Sequence, residues 1–197
     1  MKLTLPDGDF LAYLFDCDGT IVDSMPRHYC AWQHALAEWG CTFDEQLFYS
    51  WGGRPTGDII EDLNEAQGLS MPVEAVSARK EELFLSEVSV LEAIPEVLEH
   101  IHARHGHIPL AVVSGGRRES VVNSLSALHL LDKFDTIVAA EDYTNGKPAP
   151  DAFLLAAARL GVAPADCLVF EDTAMGIQAA TAAGMASVLV PARAGRS

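Results

Sequence analysis

Two aspartates directly follow the first apolar run of the chain. Asp16 and Asp18 lie within residues 14–20, and the apolar run covers residues 10–15. If the backbone stays extended there, both carboxylates point the same way and Cys17 points back toward the core. Two like charges at this spacing are costly unless a cation or a shared proton compensates for them, and Mg²⁺ held by carboxylates is the usual solution. Taken alone, the segment fits a solvated turn equally well.

A second segment offers a binding site for an anion. Ser114, Gly115 and Gly116 separate another apolar run from a helix that begins near Arg117. A hydroxyl group together with free backbone N–H groups at a helix N-terminus binds anions such as phosphate. Arg117 follows this loop directly and is a candidate to bind a phosphate or a sugar hydroxyl, or else faces water in the first helical turn.

Two more segments add an ammonium group and a pair of carboxylates. Lys147 lies between a glycine and a proline, which hold its turn in a fixed conformation, and Glu171 and Asp172 end another apolar run. Thr173 is placed to cap the helix that follows. Carboxylates, a hydroxyl and an ammonium at four strand ends together indicate a site for a metal-bound phosphate.

Apolar runs of strand length alternate with helical segments and must position these groups. The predicted strands cover residues 10–15, 108–113, 136–140, 167–170 and 187–190. The helices between the later runs are predicted at residues 117–128, 151–160 and 174–183. This alternation predicts an α/β fold with a parallel sheet, and the unbroken apolarity of the runs predicts that both sheet faces are covered. Ligands of such sheets bind at the carboxyl ends of the strands.

Residues 21–89 contain no strand signal and are predicted to form an all-helical insertion after the first strand. Its helices are expected at residues 26–39, 43–50, 56–66 and 72–87. The insertion makes the main domain discontinuous. Trp32, Trp39 and Trp51 are predicted to pack in the core of the insertion.

Composition limits the class of protein. The chain has 197 residues, enough for one domain with an insertion, and 28 acidic against 13 basic side chains give a net charge of −15. Such a charge repels phosphate backbones and anionic lipids, so nucleic acids and membranes are poor partners. The first residues are not typical of a signal peptide, and four separated cysteines without a CxxC motif predict buried, reduced thiols. We therefore expect a cytoplasmic monomer.

Four segments resemble the motifs of the haloacid dehalogenase superfamily, in its β-phosphoglucomutase-like branch. They are DCDGTIVDS, VVSGG, GKPAPDAF and FEDTAMGIQAA, in this order, and the resemblance covers nearly the whole chain. It implies a Rossmann-like α/β core of residues 1–20 and 90–197, with an inserted all-helical cap of residues 21–89. Within the branch, the pattern is most similar to the group of bacterial fructose-1-phosphate and 6-phosphogluconate phosphatases.

The resemblance also implies roles for the core residues. Asp16 corresponds to the nucleophile that becomes phosphorylated, and Asp18 to the general acid and base. Ser114, the Gly115 amide and Lys147 correspond to the groups that bind the transferred phosphoryl oxygens. The implied Mg²⁺ ligands are the side chain of Asp16, the main-chain carbonyl of Asp18 and the side chain of Asp172, with Glu171 as a further ligand or as a partner of a ligand.

Three basic residues of the cap are candidates for substrate binding. His28 and Lys80 fall where the sugar mutase of this branch has a catalytic histidine and a substrate-binding lysine. Arg54 matches with a shift of one residue. For all three, contact with the substrate and simple surface charge are equally compatible with the sequence.

These features predict a Mg²⁺-dependent phosphatase that hydrolyses a small phosphorylated metabolite, with a sugar phosphate as the leading candidate, through a phosphorylated Asp16. The alternative is a β-phosphoglucomutase that uses the same nucleophile. Gly116 stands where the mutase has a serine, which argues against the alternative. A non-catalytic receiver domain has no use for a helical insertion, and a carbon-attacking dehalogenase has no use for Asp18 or the pair of acidic residues at 171–172.

Overall fold

The protein is built on a five-stranded parallel sheet in the computed structural model, which describes residues 3–192. The strands are β1 (Ala12–Phe15), β2 (Leu110–Val113), β3 (Thr136–Val138), β4 (Cys167–Glu171) and β5 (Ala186–Leu189). Their order across the sheet is β3-β2-β1-β4-β5, and every neighbouring pair is parallel. Each predicted apolar run overlaps with one strand. The predicted Rossmann-like α/β fold is therefore confirmed.

Both faces of the sheet are buried, as the unbroken apolar runs predicted. Tyr13, Phe15 and Phe170 point into one apolar cluster, whereas Leu14 and Val169 point into another on the opposite face. Alternate residues of a strand point to opposite faces, so a strand covered on both sides must be apolar at every position. Each such side chain stabilises the fold by about 1.5–3 kcal/mol relative to an exposed one.

Four helices cover the sheet. They are α5 (Pro95–Arg104), α6 (Arg118–Ala127), α7 (Asp151–Leu160) and α8 (Ala174–Ala182), numbered after four helices that precede them in the chain. Thr173 caps helix α8, as predicted, because its hydroxyl accepts a hydrogen bond of 3.0 Å from the Gly176 N–H. Just beyond its end Gly184 has a φ of +74°, a conformation that glycine adopts without strain.

Strand β3 is shorter than predicted. The Asp142 carboxylate accepts a hydrogen bond of 2.9 Å from the Ala139 N–H, and residues Ala140–Asp142 form a 3₁₀ turn. Asp142 also binds the guanidinium groups of Arg118 and Arg159. Side-chain capping of the backbone thus ends the strand although the apolar run continues.

The segment between β1 and β2 is helical. Its four longer helices are α1 (Met25–Ala37), α2 (Glu45–Ser50), α3 (Thr56–Gln67) and α4 (Val73–Leu85). They enclose an apolar cluster of their own, which includes Trp32 and Phe43 and against which Trp51 packs. The division into a core of residues 1–20 and 90–197 and a cap of residues 21–89 stays a prediction, since packing alone does not test those boundaries.

Two predictions about this helical segment were wrong. Helix α1 ends at Ala37, two residues before its predicted end, so Trp39 lies in the following turn and is 42% exposed rather than in the core. Cys30 is exposed on α1, whereas the other three cysteines are buried as predicted; all four are free thiols.

The chain leaves and re-enters the sheet domain through two paired segments. The Ile94 N–H donates to the Ile21 carbonyl over 2.8 Å, and the Asp23 N–H donates to the Glu92 carbonyl over 2.8 Å. Val22 and Ala93 form the antiparallel bridge between these bonds. Both connections therefore lie side by side, next to the carboxyl end of β1.

Across residues 3–192, none of the helices combines the length and the apolarity that crossing a lipid bilayer requires.

Candidate active site

Every residue predicted for the site lines one cavity of about 590 Å³, between the sheet and the helical segment. The strand ends lie side by side at this cavity, because hydrogen bonds between neighbouring strands continue one residue past the strands. The Asp16 N–H donates to the Phe170 carbonyl over 2.9 Å, and the Ser114 N–H donates to the Val138 carbonyl over 2.9 Å. The carboxyl edge of the sheet thus brings β1, β2 and β4 to one wall of the cavity.

Lys147 bridges two buried carboxylates at the bottom of the cavity. Its Nζ lies 2.6 Å from Asp16 Oδ1 and 2.6 Å from Glu171 Oε2, and it also donates to the Val113 carbonyl over 3.3 Å. Burial of Lys147 lowers its pKa, but the Asp16 and Glu171 carboxylates outweigh burial and raise that pKa above its usual range, so the ammonium is charged. Lys147 precedes Pro148 through a cis peptide bond, in the turn that the sequence predicted.

Asp172 lies beside Asp16 and Glu171. Its Oδ1 accepts a hydrogen bond of 3.3 Å from the Thr20 hydroxyl. Gly19 has a φ of +88°, and a Cβ there would lie 2.2 Å from Asp172 Oδ2, so glycine is needed for the carboxylate to approach the β1 loop.

Glu171 is held by its neighbours in the chain as well as by Lys147. Its Oε1 accepts hydrogen bonds from the Thr173 N–H over 3.0 Å and from the Thr173 hydroxyl over 2.7 Å. Burial alone raises the pKa of Glu171, but Lys147 and Thr173 outweigh it and lower that pKa below its usual range. Glu171 is therefore an ionised carboxylate.

The three carboxylates of Asp16, Glu171 and Asp172 form a cluster suited to a hard divalent cation. They each offer an oxygen within 4.8 Å of the others, and Lys147 supplies one positive charge against the three. Burial and the neighbouring Glu171 carboxylate raise the pKa of Asp16 well above its usual range and raise the pKa of Asp172 to about 7. Crowded like charges of this kind are stabilised by a cation with oxygen ligands, such as Mg²⁺. The residues present therefore fit the predicted cofactor.

Asp18 also lines the cavity and is bound by residues of the helical segment. Its Oδ1 accepts a hydrogen bond of 2.6 Å from the Ser24 hydroxyl and lies 3.1 Å from His28 Nε2. Burial raises the pKa of Asp18, but His28 and Ser24 outweigh burial and lower that pKa to about 2. The His28 ring stacks on Phe84 with 3.8 Å between centroids. Burial and the nearby Lys80 lower the pKa of His28, whose Nε2 faces the Asp18 carboxylate.

The loop after β2 has the arrangement of an anion site. The Ser114 hydroxyl accepts a hydrogen bond of 3.0 Å from the Gly116 N–H, which leaves its own proton free to bind an anion oxygen. The Tyr143 hydroxyl donates to the Ser114 carbonyl over 3.1 Å and so stabilises the backbone of the loop. Gly115 and Arg117 are exposed at the cavity wall.

The basic residues of the helical segment are paired with carboxylates. Lys80 is buried, and its Nζ lies 3.0 Å from Glu81 Oε1. Arg54 lies 2.6 Å from Asp62 Oδ2 and 4.5 Å from the centre of the Trp51 ring. Both residues line the cavity, where Lys80 is buried and Arg54 is partly exposed. Contact of either residue with a substrate stays a prediction.

Several contacts of this site were not predicted from the sequence. Ser24, Thr20 and Tyr143 hold Asp18, Asp172 and the Ser114 loop, respectively. Thr173 was predicted as a helix cap, but its second role as a donor to Glu171 was not. Ser24 lies in the DCDGTIVDS segment, so its polarity beside a predicted catalytic carboxylate was the available signal.

Comparisons with known proteins agree with this geometry. The sequence profile of the haloacid dehalogenase-like hydrolase family matches residues 13–190. Fructose-1-phosphate phosphatase YqaB of Escherichia coli (strain K12) is 38% identical over 180 residues, which cover 91% of this chain and 95% of that relative. Beta-phosphoglucomutase of Bacillus subtilis (strain 168) is 30% identical over 188 residues, which cover 90% of this chain and 81% of the mutase.

A solved structure has the same fold. The crystal structure of CbbY from Rhodobacter sphaeroides in complex with phosphate superposes with a TM-score of 0.84 at 25% identity, covering 92% of this chain and 86% of CbbY. The profile match spans most of the chain, including the carboxylate cluster, the anion loop and the helical segment. The chain therefore belongs to the haloacid dehalogenase-like hydrolase family and is a phosphatase of that family.

Proposed function

We propose that this phosphatase hydrolyses a sugar or polyol monophosphate with the help of Mg²⁺, through a covalent phosphate ester of Asp16. The observation that carries the proposal is the placement of Asp16. Its buried carboxylate lies against the Lys147 ammonium, in a cluster with Glu171 and Asp172 and at the bottom of a large cavity. A carboxylate in such a position can attack a phosphate whose negative charge is neutralised by its surroundings.

Asp16, Glu171, Asp172 and the Asp18 carbonyl would hold the Mg²⁺. When bound, the ion supplies positive charge that reduces the repulsion between the Asp16 carboxylate and the phosphate dianion. Lys147 and the Ser114 hydroxyl bind phosphoryl oxygens and orient the phosphorus toward Asp16, because positioning and electrostatics provide most of the catalysis of phosphoryl transfer.

In the first half of the reaction, an oxygen of Asp16 forms a bond to phosphorus while the bond to the substrate oxygen breaks. Asp18 gives its proton to the departing oxygen, which leaves as an alcohol. Asp18 is ionised in the ligand-free protein. The arrival of a phosphate dianion beside it raises its pKa, so that Asp18 takes up from solvent the proton that it then gives to the departing oxygen. A general acid of this kind contributes roughly 10²- to 10⁴-fold.

In the second half, water replaces the alcohol. Asp18 takes a proton from the water, the water oxygen bonds to phosphorus, and the bond to Asp16 breaks to release inorganic phosphate. The contacts of Asp18 with Ser24 and His28 favour its carboxylate form and so suit this step.

The cavity and the relatives support the proposed substrate class. Lys80 can offer hydrogen bonds on the side of the helical segment, where the Arg54 guanidinium also lies over the Trp51 ring. Such a mixture suits the hydroxyl groups and apolar faces of a sugar. YqaB is named a fructose-1-phosphate phosphatase, and another relative, 32% identical over 183 residues, is hexitol phosphatase A of Escherichia coli (strain K12).

The test is a measurement of phosphate release from fructose 1-phosphate, other sugar phosphates and p-nitrophenyl phosphate, each with Mg²⁺ and with EDTA. We expect Mg²⁺-dependent release, greatest for one sugar or polyol phosphate. A chain that releases phosphate from none of them contradicts the proposal, and so does release that EDTA leaves unchanged.

A mutase is the second candidate, because the His28 contact with Asp18 lies where the mutase of this branch has its catalytic histidine, and a mutase is among the relatives. Gly116 argues against it. A Cβ there would lie 3.2 Å from Ser114 Oγ, so a serine crowds the Ser114 hydroxyl, while its contact with Asp18 Oδ2 at 3.5 Å is an ordinary one. Formation of glucose 6-phosphate from β-glucose 1-phosphate, primed with glucose 1,6-bisphosphate, distinguishes the two activities.

A further inference from the structure

Glu81 of helix α4 is a buried carboxylate with no role in the mechanism above. Its side chain is 12% exposed and lies at the cavity. One oxygen, Oε1, accepts a hydrogen bond of 3.0 Å from the Lys80 ammonium, and the other, Oε2, accepts one from the Ser120 hydroxyl. Both carboxylate oxygens therefore have a partner, and the two partners belong to different parts of the molecule.

Ser120 connects Glu81 to the phosphate loop. It is buried in the first turn of helix α6, the helix that begins directly after the loop of residues 114–117. Helix α4 is otherwise part of the helical segment and packs mainly against α1 and α3. The Glu81–Ser120 contact thus fixes the position of α4 relative to the helix that carries the anion site.

Lys80 connects Glu81 to the substrate side of the cavity. Its Nζ lies 5.6 Å from the centre of the Phe84 ring, on which His28 stacks. A lysine side chain has a long flexible stem, and its ammonium has a defined position only when a partner binds it. Glu81 is that partner, so the position of the ammonium depends on where Glu81 is held.

The neighbouring Glu82 shows what a simple surface pair looks like. Its side chain is 72% exposed, and it pairs with Arg79 on the same helix over 2.7 Å. An exposed pair within one helix contributes little, and the other contact of Arg79, with Glu38 Oε1 over 2.8 Å, does not involve Glu82. Glu81 differs in both respects, since it is buried and links two elements.

We propose that Glu81 is a positioning residue that selects for hydroxyl-bearing substrates. By binding Ser120 and Lys80 at once, it fixes the Lys80 ammonium at the point where it donates to a hydroxyl group of the organic part of the substrate. The inference rests on the proposed function, because it requires that a sugar or polyol phosphate enters the cavity. Loss of the Glu81 carboxylate weakens substrate binding and therefore raises KM more than it lowers kcat.

The test compares Glu81→Gln with the matched control Glu82→Gln, using fructose 1-phosphate and p-nitrophenyl phosphate with Mg²⁺. We expect Glu81→Gln to lower the ratio of kcat/KM for the sugar phosphate to kcat/KM for the aryl phosphate about tenfold, mainly through KM. Glu82→Gln leaves the ratio unchanged. Because Glu81 acts through Lys80, the same change in a Lys80→Met background alters the ratio less than about twofold.

Ser120→Ala gives a second route to the same result if Glu81→Gln does not fold. It removes the contact to α6 alone and is expected to lower the ratio in the same direction. An equal loss on both substrates, or an undiminished effect in the Lys80→Met background, overturns the inference.

Failure of the proposed function is recognised separately, as absence of phosphate release by the wild-type protein from either substrate. Hydrogen exchange of residues 114–121 then decides whether Glu81 holds the loop. Faster exchange in Glu81→Gln than in Glu82→Gln supports the link, and equal exchange overturns it.

Discussion

Replacing Gly176 by alanine tests the position of the Glu171 carboxylate. A Cβ at Gly176 would lie 1.9 Å from Glu171 Cδ and 2.2 Å from its Cγ. Non-bonded carbons approach to about 3.5–4.0 Å, so the carboxylate must move by roughly 1.5–2 Å. Such a movement breaks the contacts of Glu171 with Lys147 at 2.6 Å and with the Thr173 hydroxyl at 2.7 Å.

The expected cost follows from these contacts. Breaking a buried ion pair destabilises a protein by about 3–5 kcal/mol. Alanine in place of a helical glycine returns up to about 1 kcal/mol. We therefore expect Gly176→Ala to lower the free energy of unfolding by about 2–4 kcal/mol and to weaken the binding of Mg²⁺.

Denaturation in urea, followed by circular dichroism, measures this loss. Gly57→Ala is the matched control, because Gly57 also lies in the first turn of a helix and its added Cβ meets Val73 Cγ1 at an ordinary 3.5 Å. We expect the control to be at least as stable as the wild type. If Gly176→Ala is as stable as Gly57→Ala, the Glu171 carboxylate is not where the site requires it.

Three further predictions address the nucleophile, the metal site and the end of β3. Asp16→Asn is expected to reduce phosphate release by roughly 10⁴-fold or more with an unchanged circular dichroism spectrum, and substantial turnover points to another nucleophile. Asp172→Asn should raise the Mg²⁺ concentration for half-maximal activity about tenfold or more; an unchanged titration removes Asp172 from the metal site. Burial raises the pKa of Asp142, but Arg159 and the Ala139 N–H lower it overall. The stability this carboxylate adds is therefore present above its unfolded-state pKa and lost as the pH falls through the lower folded-state value. Asp142→Asn should cost about 1–2 kcal/mol at pH 7. In urea denaturation the difference from the wild type should shrink below about pH 4, and a constant difference refutes the assignment.

The sheet and the core of the site were predictable because their signals are local. Each strand is a short apolar run, and helix α7 has the bounds that the sequence predicted. Asp16 and Asp172 lie at the ends of such runs, and a parallel sheet brings them to one edge. Lys147 lies in the connection that follows β3 at the same edge. The shared cavity follows from the topology alone.

The remaining contacts depend on packing between distant segments. Ser120 and Glu81 are 39 residues apart, and no spacing rule connects them. The exposure of Trp39 depends on where α1 ends, and helix ends are poorly determined by apolar periodicity. Arg54 pairs with Asp62, which lies eight residues later in the chain. This pairing depends on where α3 begins, at Thr56.

The paired connections at Ile21–Ile94 and Asp23–Glu92 have a consequence for how such enzymes diversify. Because entry and exit are hydrogen-bonded neighbours, the intervening helices can be lengthened, shortened or exchanged without changing the separation of the two ends. On the proposed function, the chemistry at the sheet edge is thereby insulated from changes in the segment that contacts the organic part of the substrate. One reaction centre can serve many metabolites through exchange of a single segment.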